Sequence, residues 1–229
     1  MVKRIFCILA FMAVLSGGLY AQQQSPFYVS GGFITDIGVG LISASFNEPG
    51  FLSESADMGI FSGGFGAFVS IGAMSQFGEF GTGFLDFSIG VYGGPLSLEI
   101  WDDFDVFILD GSFFAFDFSL IGGLYFRLGG FSLGPLVGIG YQSVVSAELE
   151  GLAFYQPGDL GNFRIMLGVG SDISITERVF FRTQLMGYYR FSSNYERNVV
   201  DELNRIPFFS ATAHGGFGGS LRLGIGLRL

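Results

Sequence analysis

The sequence contains little charge, one cysteine and one histidine. Its 229 residues carry 11 Lys+Arg against 20 Asp+Glu, which gives a formal net charge of −9. A single Cys excludes a disulfide-stabilised scaffold and a CxxC-type zinc site. The acidic balance argues against a nucleic-acid partner, because binding to phosphates needs Lys and Arg. Low charge together with 17% aromatic residues excludes a disordered chain, which could not carry so much apolar surface.

The sequence also lacks a hydrophobic run long enough to cross a membrane as a helix. An apolar run at residues 5–15 follows Lys3 and Arg4 and precedes the small residue Ala21. This is the layout of a secretory signal peptide, whose apolar core is shorter than a spanning helix requires. We predict a cleaved signal peptide at residues 1–21 and one domain at residues 22–229, with an uncleaved anchor as the alternative. Export without a second hydrophobic span leaves a soluble secreted protein or an outer-membrane β-barrel.

Glycine and phenylalanine are abundant, with 38 and 29 copies, and they lie in runs of alternating polarity. Eight runs place an apolar side chain at nearly every second position. The fourth run, for example, has Phe114, Phe116 and Phe118 at one parity. Because successive side chains of a strand point to opposite faces, this alternation predicts eight β-strands.

The two faces of these strands differ in chemistry. One face is almost wholly Phe, Leu, Ile, Val and Gly, as contact with lipid requires. Charge on the other face is too sparse for a water-exposed surface but sufficient for a narrow lumen. Eight strands leave an interior that side chains can fill, and buried charges must pair. A narrow charged conduit is the alternative, because many inward positions are Gly. We predict a lumen charge network of Asp36, Asp86, Asp117, Asp172, Arg127, Arg164, Arg182, Arg190 and Arg222.

Short turns and long loops alternate between the predicted strands. The three short connections are residues 75–78, Gly129-Gly130 and 176–178. The four long connections are about residues 47–57, 94–111, 147–161 and 192–210. An even number of strands with both ends on the short-turn side is typical of bacterial outer-membrane barrels. The predicted fold class is therefore all-β, an eight-stranded antiparallel up-and-down transmembrane β-barrel.

At this level the sequence resembles the small bacterial outer-membrane β-barrel proteins of the OmpX, OmpA-barrel and OmpW types. The resemblance covers the whole mature chain and rests on the signal peptide, the eight alternating strands, the loop pattern and a terminal strand that ends Leu-Arg-Leu-Gly-Ile-Gly-Leu-Arg-Leu. It implies the outer membrane of a diderm bacterium, with membrane lipid and the barrel-insertion machinery as partners. Members of this group usually end in an aromatic residue, whereas this chain ends in Leu229. Similarity to the OmpW type would imply passage of small, hydrophobic molecules.

The long loops hold 14 of the 20 acidic residues. They form either a solvated outer surface or a site for a divalent cation or a cationic partner. The best locus is Trp101 followed by Asp102, Asp103 and Asp105, and these four are candidate contacts for host or cell-surface proteins. Their spacing lacks the residue order of an EF-hand, so the sequence assigns no metal and no cofactor.

His214 is the only His that could serve acid–base chemistry. A hydrolase or acyltransferase would need it beside a Ser and an acid, and Ser192, Ser193 and Ser210 are its possible neighbours. No spacing motif supports such a site, so we interpret His214 as an inert inward residue near the outer rim. The predicted function is non-enzymatic, a structural or surface-interaction role through the acidic loops. A narrow channel for small or hydrophobic molecules and a soluble secreted ligand-binding barrel are the alternatives.

Overall fold

The computed structural model describes residues 27–46, 54–77, 81–101, 106–149 and 157–229. The predicted signal peptide at residues 1–21 lies outside these described ranges. Eight strands make up most of the described chain. Their bounds are β1 Phe27–Phe46, β2 Glu54–Phe77, β3 Gly81–Trp101, β4 Val106–Leu128, β5 Phe131–Leu149, β6 Asn162–Ser174, β7 Val179–Arg190 and β8 Phe209–Arg228.

The strands form one closed barrel in sequence order. Each strand pairs antiparallel with the next along the chain, and β8 pairs with β1 to close the ring. The predicted eight-stranded, antiparallel, up-and-down barrel is confirmed. Two predicted short turns are also present: Gly129-Gly130 joins β4 to β5, with Gly129 at a φ of 70° that suits glycine, and residues 175–178 join β6 to β7.

Side chains alternate between the barrel exterior and its interior. Phe33, Phe65 and Leu167 point outward and are 60%, 64% and 65% exposed. Their inward neighbours Ile34 and Met166 are buried. We call the end of the barrel with the short turns the turn end, and the opposite end the loop end.

The wall of the barrel is uneven in height. Strands β2 and β4 have 24 and 23 residues, whereas β6 and β7 have 13 and 12. Above the low wall lie a short 3-10 helix, Pro157–Leu160, and an α-helix, α1, Asn194–Leu203. Among the described residues, neither helix is long and apolar enough to cross a membrane.

The predicted long loops are shorter than expected from the sequence. The expected loop at residues 94–111 is mostly an extension of β3 and β4, which continue to Trp101 and from Val106. Likewise, β2 begins at Glu54, β5 continues to Leu149, and α1 occupies part of residues 192–210. These boundaries were wrong because, near the loop end, the apolar side chains move from the outward to the inward positions of the strands. In the sequence this phase shift interrupts the alternation and looks like the end of a strand.

The phase shift has a structural meaning: the inner face changes from polar to apolar near the loop end. We call the part of the barrel between this change and the loop end the outer half. Its inward residues form a buried apolar cluster with Leu160 from the 3-10 helix, and they include Leu96, Leu98, Phe113, Val144 and Ala147. The outward positions beside them are polar, for example Ser97, Ser112 and Ser146. The outer half therefore has an apolar interior and several polar outward positions, whereas the turn-end half has an apolar exterior and a polar interior.

Two β-bulges lie at this boundary. Phe114 pairs with Ser146 and Ala115 with Val144, so Val145 is the extra residue of β5. Leu41 pairs with Gly215 and Ile42 with Ala213, so His214 is the extra residue of β8. Gly215 has a φ of 74°, a left-handed conformation that favours glycine at a bulge. Because of the extra residue, the inward positions change from odd to even numbers, or the reverse, on passing each bulge. The apolar residues of β5 and β8 on the loop-end side of the bulge therefore point inward.

Candidate functional site

A ladder of ion pairs fills the lumen between the turn end and the outer half. Its lowest rung is centred on Arg182 of β7, which is 2% exposed. Arg182 donates from Nε and Nη2 to the two carboxylate oxygens of Asp172, both at 2.7 Å. Its Nη1 donates to Asp86 Oδ2 at 3.1 Å and to Tyr28 Oη at 2.7 Å. A two-pronged Arg–carboxylate contact fixes direction as well as charge, so this rung joins β7 to β1, β3 and β6.

Aromatic rings surround the same guanidinium. The Cζ of Arg182 lies 4.7 Å from the ring centroid of Tyr28, 4.6 Å from that of Phe84 and 4.9 Å from that of Phe180. Cation–π contact becomes stronger when the cation is removed from water. The rings therefore replace part of the hydration that Arg182 loses in the lumen.

The middle rung is centred on Arg222 of β8. Its Nη2 donates to Asp117 Oδ1 at 2.8 Å, and its Nη1 donates to Ser88 Oγ at 2.6 Å. The Ser88 hydroxyl shares a further hydrogen bond of 2.6 Å with Ser119. Asp117 also lies 3.7 Å from Nη2 of Arg164, so one carboxylate connects this rung to the next.

The upper rung is centred on Arg164 of β6. Its Nη1 donates to Asp36 Oδ2 at 2.8 Å, and its Nη2 donates to Tyr92 Oη at 2.6 Å. Tyr188 donates to the other Asp36 oxygen at 2.7 Å. Both carboxylate oxygens of this buried Asp are thus satisfied, which a charge in a low-dielectric interior requires.

A fourth ion pair lies above these rungs. Arg190 of β7 contacts Glu196 of α1, with Nη2 2.5 Å from Oε1. Glu196 is fully buried, although the sequence suggested an exposed loop position. It is buried because it belongs to a capping box, in which Ser193 caps α1 and the Glu196 side chain accepts from the Ser193 backbone N–H. The Ser-x-x-Glu spacing was the sequence signal that could have identified this helix start.

Eight of the nine residues of the predicted network lie buried in the lumen. The exception is Arg127, and its expected place in the network was wrong. Arg127 has the inward parity but precedes the last residue of β4, Leu128, so its side chain projects past the turn end and is exposed. Sequence reasoning also overlooked Tyr28, Tyr125 and Phe180, which share the inward parity of the charged residues and surround Arg182.

A small cavity lies just above the upper rung. Its volume is about 30 Å³, which is enough for one or two water molecules. Apolar residues of the outer half line it together with the polar residues Arg190, Tyr188 and Asn162.

Comparisons with known proteins show similarity in barrel architecture. No protein-family model matches the sequence, and no curated protein matches it significantly. Among solved structures, the outer membrane protein OprG of Pseudomonas aeruginosa superposes with a TM-score of 0.49 and 10% identity over 91% of this chain and 99% of OprG. Neisserial surface protein A superposes with a TM-score of 0.43 and 13% identity over 91% of this chain and 100% of its own. The outer membrane protease OmpT of Escherichia coli gives 0.36 and 7%, over 91% of this chain and 99% of OmpT. At such identities no side-chain role is transferred from these proteins.

Only part of the predicted surface site lies in the described chain. Trp101 ends β3, and its ring packs edge-on against Phe61 with centroids 5.8 Å apart. Asp102, Asp103 and Asp105 lie outside the described residues. Among the residues that are described, no three His, Cys, Asp or Glu side chains are grouped closely enough to hold a metal ion.

Four carboxylates form a diagonal row on the outer face of β2 to β5. Asp57 is a diagonal neighbour of Glu99, because it pairs with Trp101, two residues beyond Glu99. Asp110 is the diagonal neighbour on the other side, because it pairs with Ser97, two residues before Glu99. Glu148 is a diagonal neighbour of Asp110, because it pairs with Ser112, two residues beyond Asp110. Diagonal neighbours in a sheet are about 7–8 Å apart. We call Asp57, Glu99, Asp110 and Glu148 the acidic row; all four were expected in loops but lie in strands.

His214 does not occupy the inward position expected from the sequence. It is the extra residue of the β8 bulge and is exposed. Its carbonyl oxygen accepts from Tyr189 Oη at 2.8 Å. Ser193, one of its suggested partners, is buried at the start of α1 instead.

Proposed function

We propose that this protein is an integral outer-membrane β-barrel that is closed to solutes and acts through its outer half as a structural or surface-interaction protein. The observation that carries this proposal is the ladder of buried ion pairs across the lumen. Arg164, Arg182 and Arg222 each extend from β6, β7 or β8 to carboxylates on the opposite side of the barrel.

The barrel exterior supports membrane insertion. From the turn end to the bulges, most outward side chains are apolar and exposed, as with Phe114, Phe116, Phe118 and Phe126 of β4. Such a surface would be costly in water, and it matches the apolar band of roughly 25 Å that outer-membrane barrels present to lipid. A soluble secreted barrel would need the opposite arrangement, with the apolar face inside.

The outer half supports a role above the membrane. A strand needs about 9–11 residues to span the bilayer, whereas β2 and β4 have 24 and 23. The added length carries polar outward residues, including the acidic row. A surface of this charge suits a cationic patch on a host or cell-surface protein, because complementary charge raises the rate of encounter.

Recordings on planar bilayers test the closed lumen. Detergent-purified protein should migrate differently on a gel before and after heating, which establishes that the barrel is folded. We expect such folded protein to give no unitary conductance. The variant Arg182→Ala, which removes the side chain at the centre of the lowest rung, serves as the matched comparison. Steady unitary conductance from the unaltered protein would refute the closed lumen and favour the narrow-channel alternative.

A further inference from the structure

The first turn of helix α1 is attached to the barrel in two ways: Tyr195 packs against the apolar cluster of the outer half, and Glu196 forms an ion pair with Arg190. Within Asn194–Leu203 the only fully buried residue is Glu196, while Arg197 and Asn198 are exposed. A surface helix is ordinarily held by an apolar stripe along one face. Here the first turn also relies on the ion pair between its buried carboxylate and Arg190.

Arg190 differs from the other lumen arginines in the origin of its partner. Arg164, Arg182 and Arg222 pair with Asp side chains of barrel strands, whereas Arg190 pairs with a carboxylate carried by α1. The guanidinium lies over Gly40, where an added Cβ would collide with it. The barrel wall therefore presents a preformed carboxylate-binding group, and α1 occupies it.

The cavity beneath α1 has two kinds of wall. Ile60, Leu96, Phe113, Val144 and Leu160 form an apolar side. Arg190 and Ser193 also line the cavity, next to the Glu196 carboxylate. The cavity has a volume of about 30 Å³, enough for one or two water molecules, so a larger ligand would need it to enlarge. The first turn of α1 borders it through its cap, Ser193.

The other end of α1 has its own attachment. Asn204, the residue after the helix, accepts from the backbone N–H of Ala211 at 2.7 Å and donates to the Ala211 carbonyl oxygen at 3.2 Å. This pair of bonds imitates strand pairing and fixes the end of α1 to β8. The first turn can therefore leave Arg190 while the last turn stays in place.

We propose that this cavity is a binding site for a small monocarboxylate with an apolar body, and that α1 is its lid. The ligand carboxylate takes the place of Glu196 on Arg190, and its apolar body lies along Ile60, Leu96 and Phe113. Exchange of one carboxylate for another keeps Arg190 paired, which avoids an isolated buried charge. This site is independent of the acidic row and of any protein partner.

Hexanoate is a suitable probe, with hexan-1-ol as the neutral molecule of equal length. Binding is measured by calorimetry on the full barrel in lipid nanodiscs, and empty nanodiscs give the partition background. The variant Glu196→Gln removes the internal competitor without changing its size, so we expect hexanoate to bind at least about tenfold more tightly than to the unaltered protein. Glu202→Gln, on the exposed part of the same helix, should bind as the unaltered protein does. Arg190→Gln should lose hexanoate binding.

Amide hydrogen exchange gives a second readout. Saturating hexanoate should speed exchange in the first turn of α1, at Arg197 and Asn198, and leave Asn204 unchanged. The proposal is overturned if Glu196→Gln binds hexanoate no more tightly than Glu202→Gln, or if hexan-1-ol binds Glu196→Gln as well as hexanoate does. If Arg190→Gln fails to fold, as its migration on a heated and unheated gel would reveal, the comparison of the two Glu variants still decides.

Discussion

Removal of the Arg182 side chain should strongly destabilise the barrel, because this guanidinium has two carboxylate partners. In Arg182→Met the chain keeps its length and loses its charge, and Asp172 and Asp86 lose their guanidinium partner together. Both carboxylates are more than nine-tenths buried, so water cannot replace the lost contacts without opening the lumen. Breaking one buried ion pair typically costs about 3–5 kcal/mol. Because two carboxylates are left unpaired here, we expect a loss of at least about 3 kcal/mol in the free energy of unfolding.

The measurement is urea unfolding in lipid vesicles, followed by circular dichroism of the strands and by gel migration. The variant Arg182→Met/Asp86→Asn/Asp172→Asn removes the charges on both sides and should recover most of the loss. Arg205→Met breaks the exposed Arg205–Glu202 pair on the outer surface and should change stability by less than about 1 kcal/mol. A loss below about 1 kcal/mol in Arg182→Met, or a triple variant no more stable than the single one, would refute the view that these charges depend on one another.

Two further substitutions test the barrel wall. Leu167→Arg places a charge on the exposed apolar exterior and should cost about 2–4 kcal/mol in vesicles, whereas Leu167→Phe should be nearly neutral; a harmless Leu167→Arg would instead support a soluble barrel. Gly32→Ala should destabilise or prevent folding, because its Cβ would collide with the Leu223 carbonyl oxygen of the neighbouring strand. Gly122→Ala meets its nearest neighbour at 3.6 Å and is the control; equal stability of the two Ala variants would contradict the close approach of β1 and β8.

The parity of side chains was enough to predict most of the lumen from the sequence. Where side chains alternate strictly, one inward residue fixes the direction of the others in its strand. Asp117 and Arg222 could therefore be placed on the inward face, with Phe116 and Leu223 on the outward face, without a structure. Parity does not say where the lumen ends, and for that reason Arg127 was misplaced. Nor does it give contacts: which Asp meets which Arg depends on strand register and barrel stagger, which local sequence leaves open.

The inverted outer half was missed for a different reason, although the sequence carries a signal for it. Adjacent apolar residues, one facing each side, mark the level at which the apolar face moves from the exterior to the interior. Such pairs are Leu41 with Ile42, Ile60 with Phe61, and Phe113 with Phe114. A search for unbroken alternation reads each pair as the end of a strand, because it assumes one polarity for the whole barrel. A strand that leaves the membrane without leaving the sheet breaks that assumption.

The same change of polarity explains why Arg190 needs a partner from outside the wall. Arg190 lies at the level where inward positions become apolar, for example Val144 and Leu96. No strand supplies it with a carboxylate there within the described chain, and burial without one would be costly. Glu196 meets this need from α1, so this one ion pair contributes both to the closure of the lumen at its loop end and to the docking of α1. A carboxylate on a short helix can leave more readily than one on a paired strand, because only the helix end must move. The loop end of the ladder is therefore the part of the lumen most readily opened.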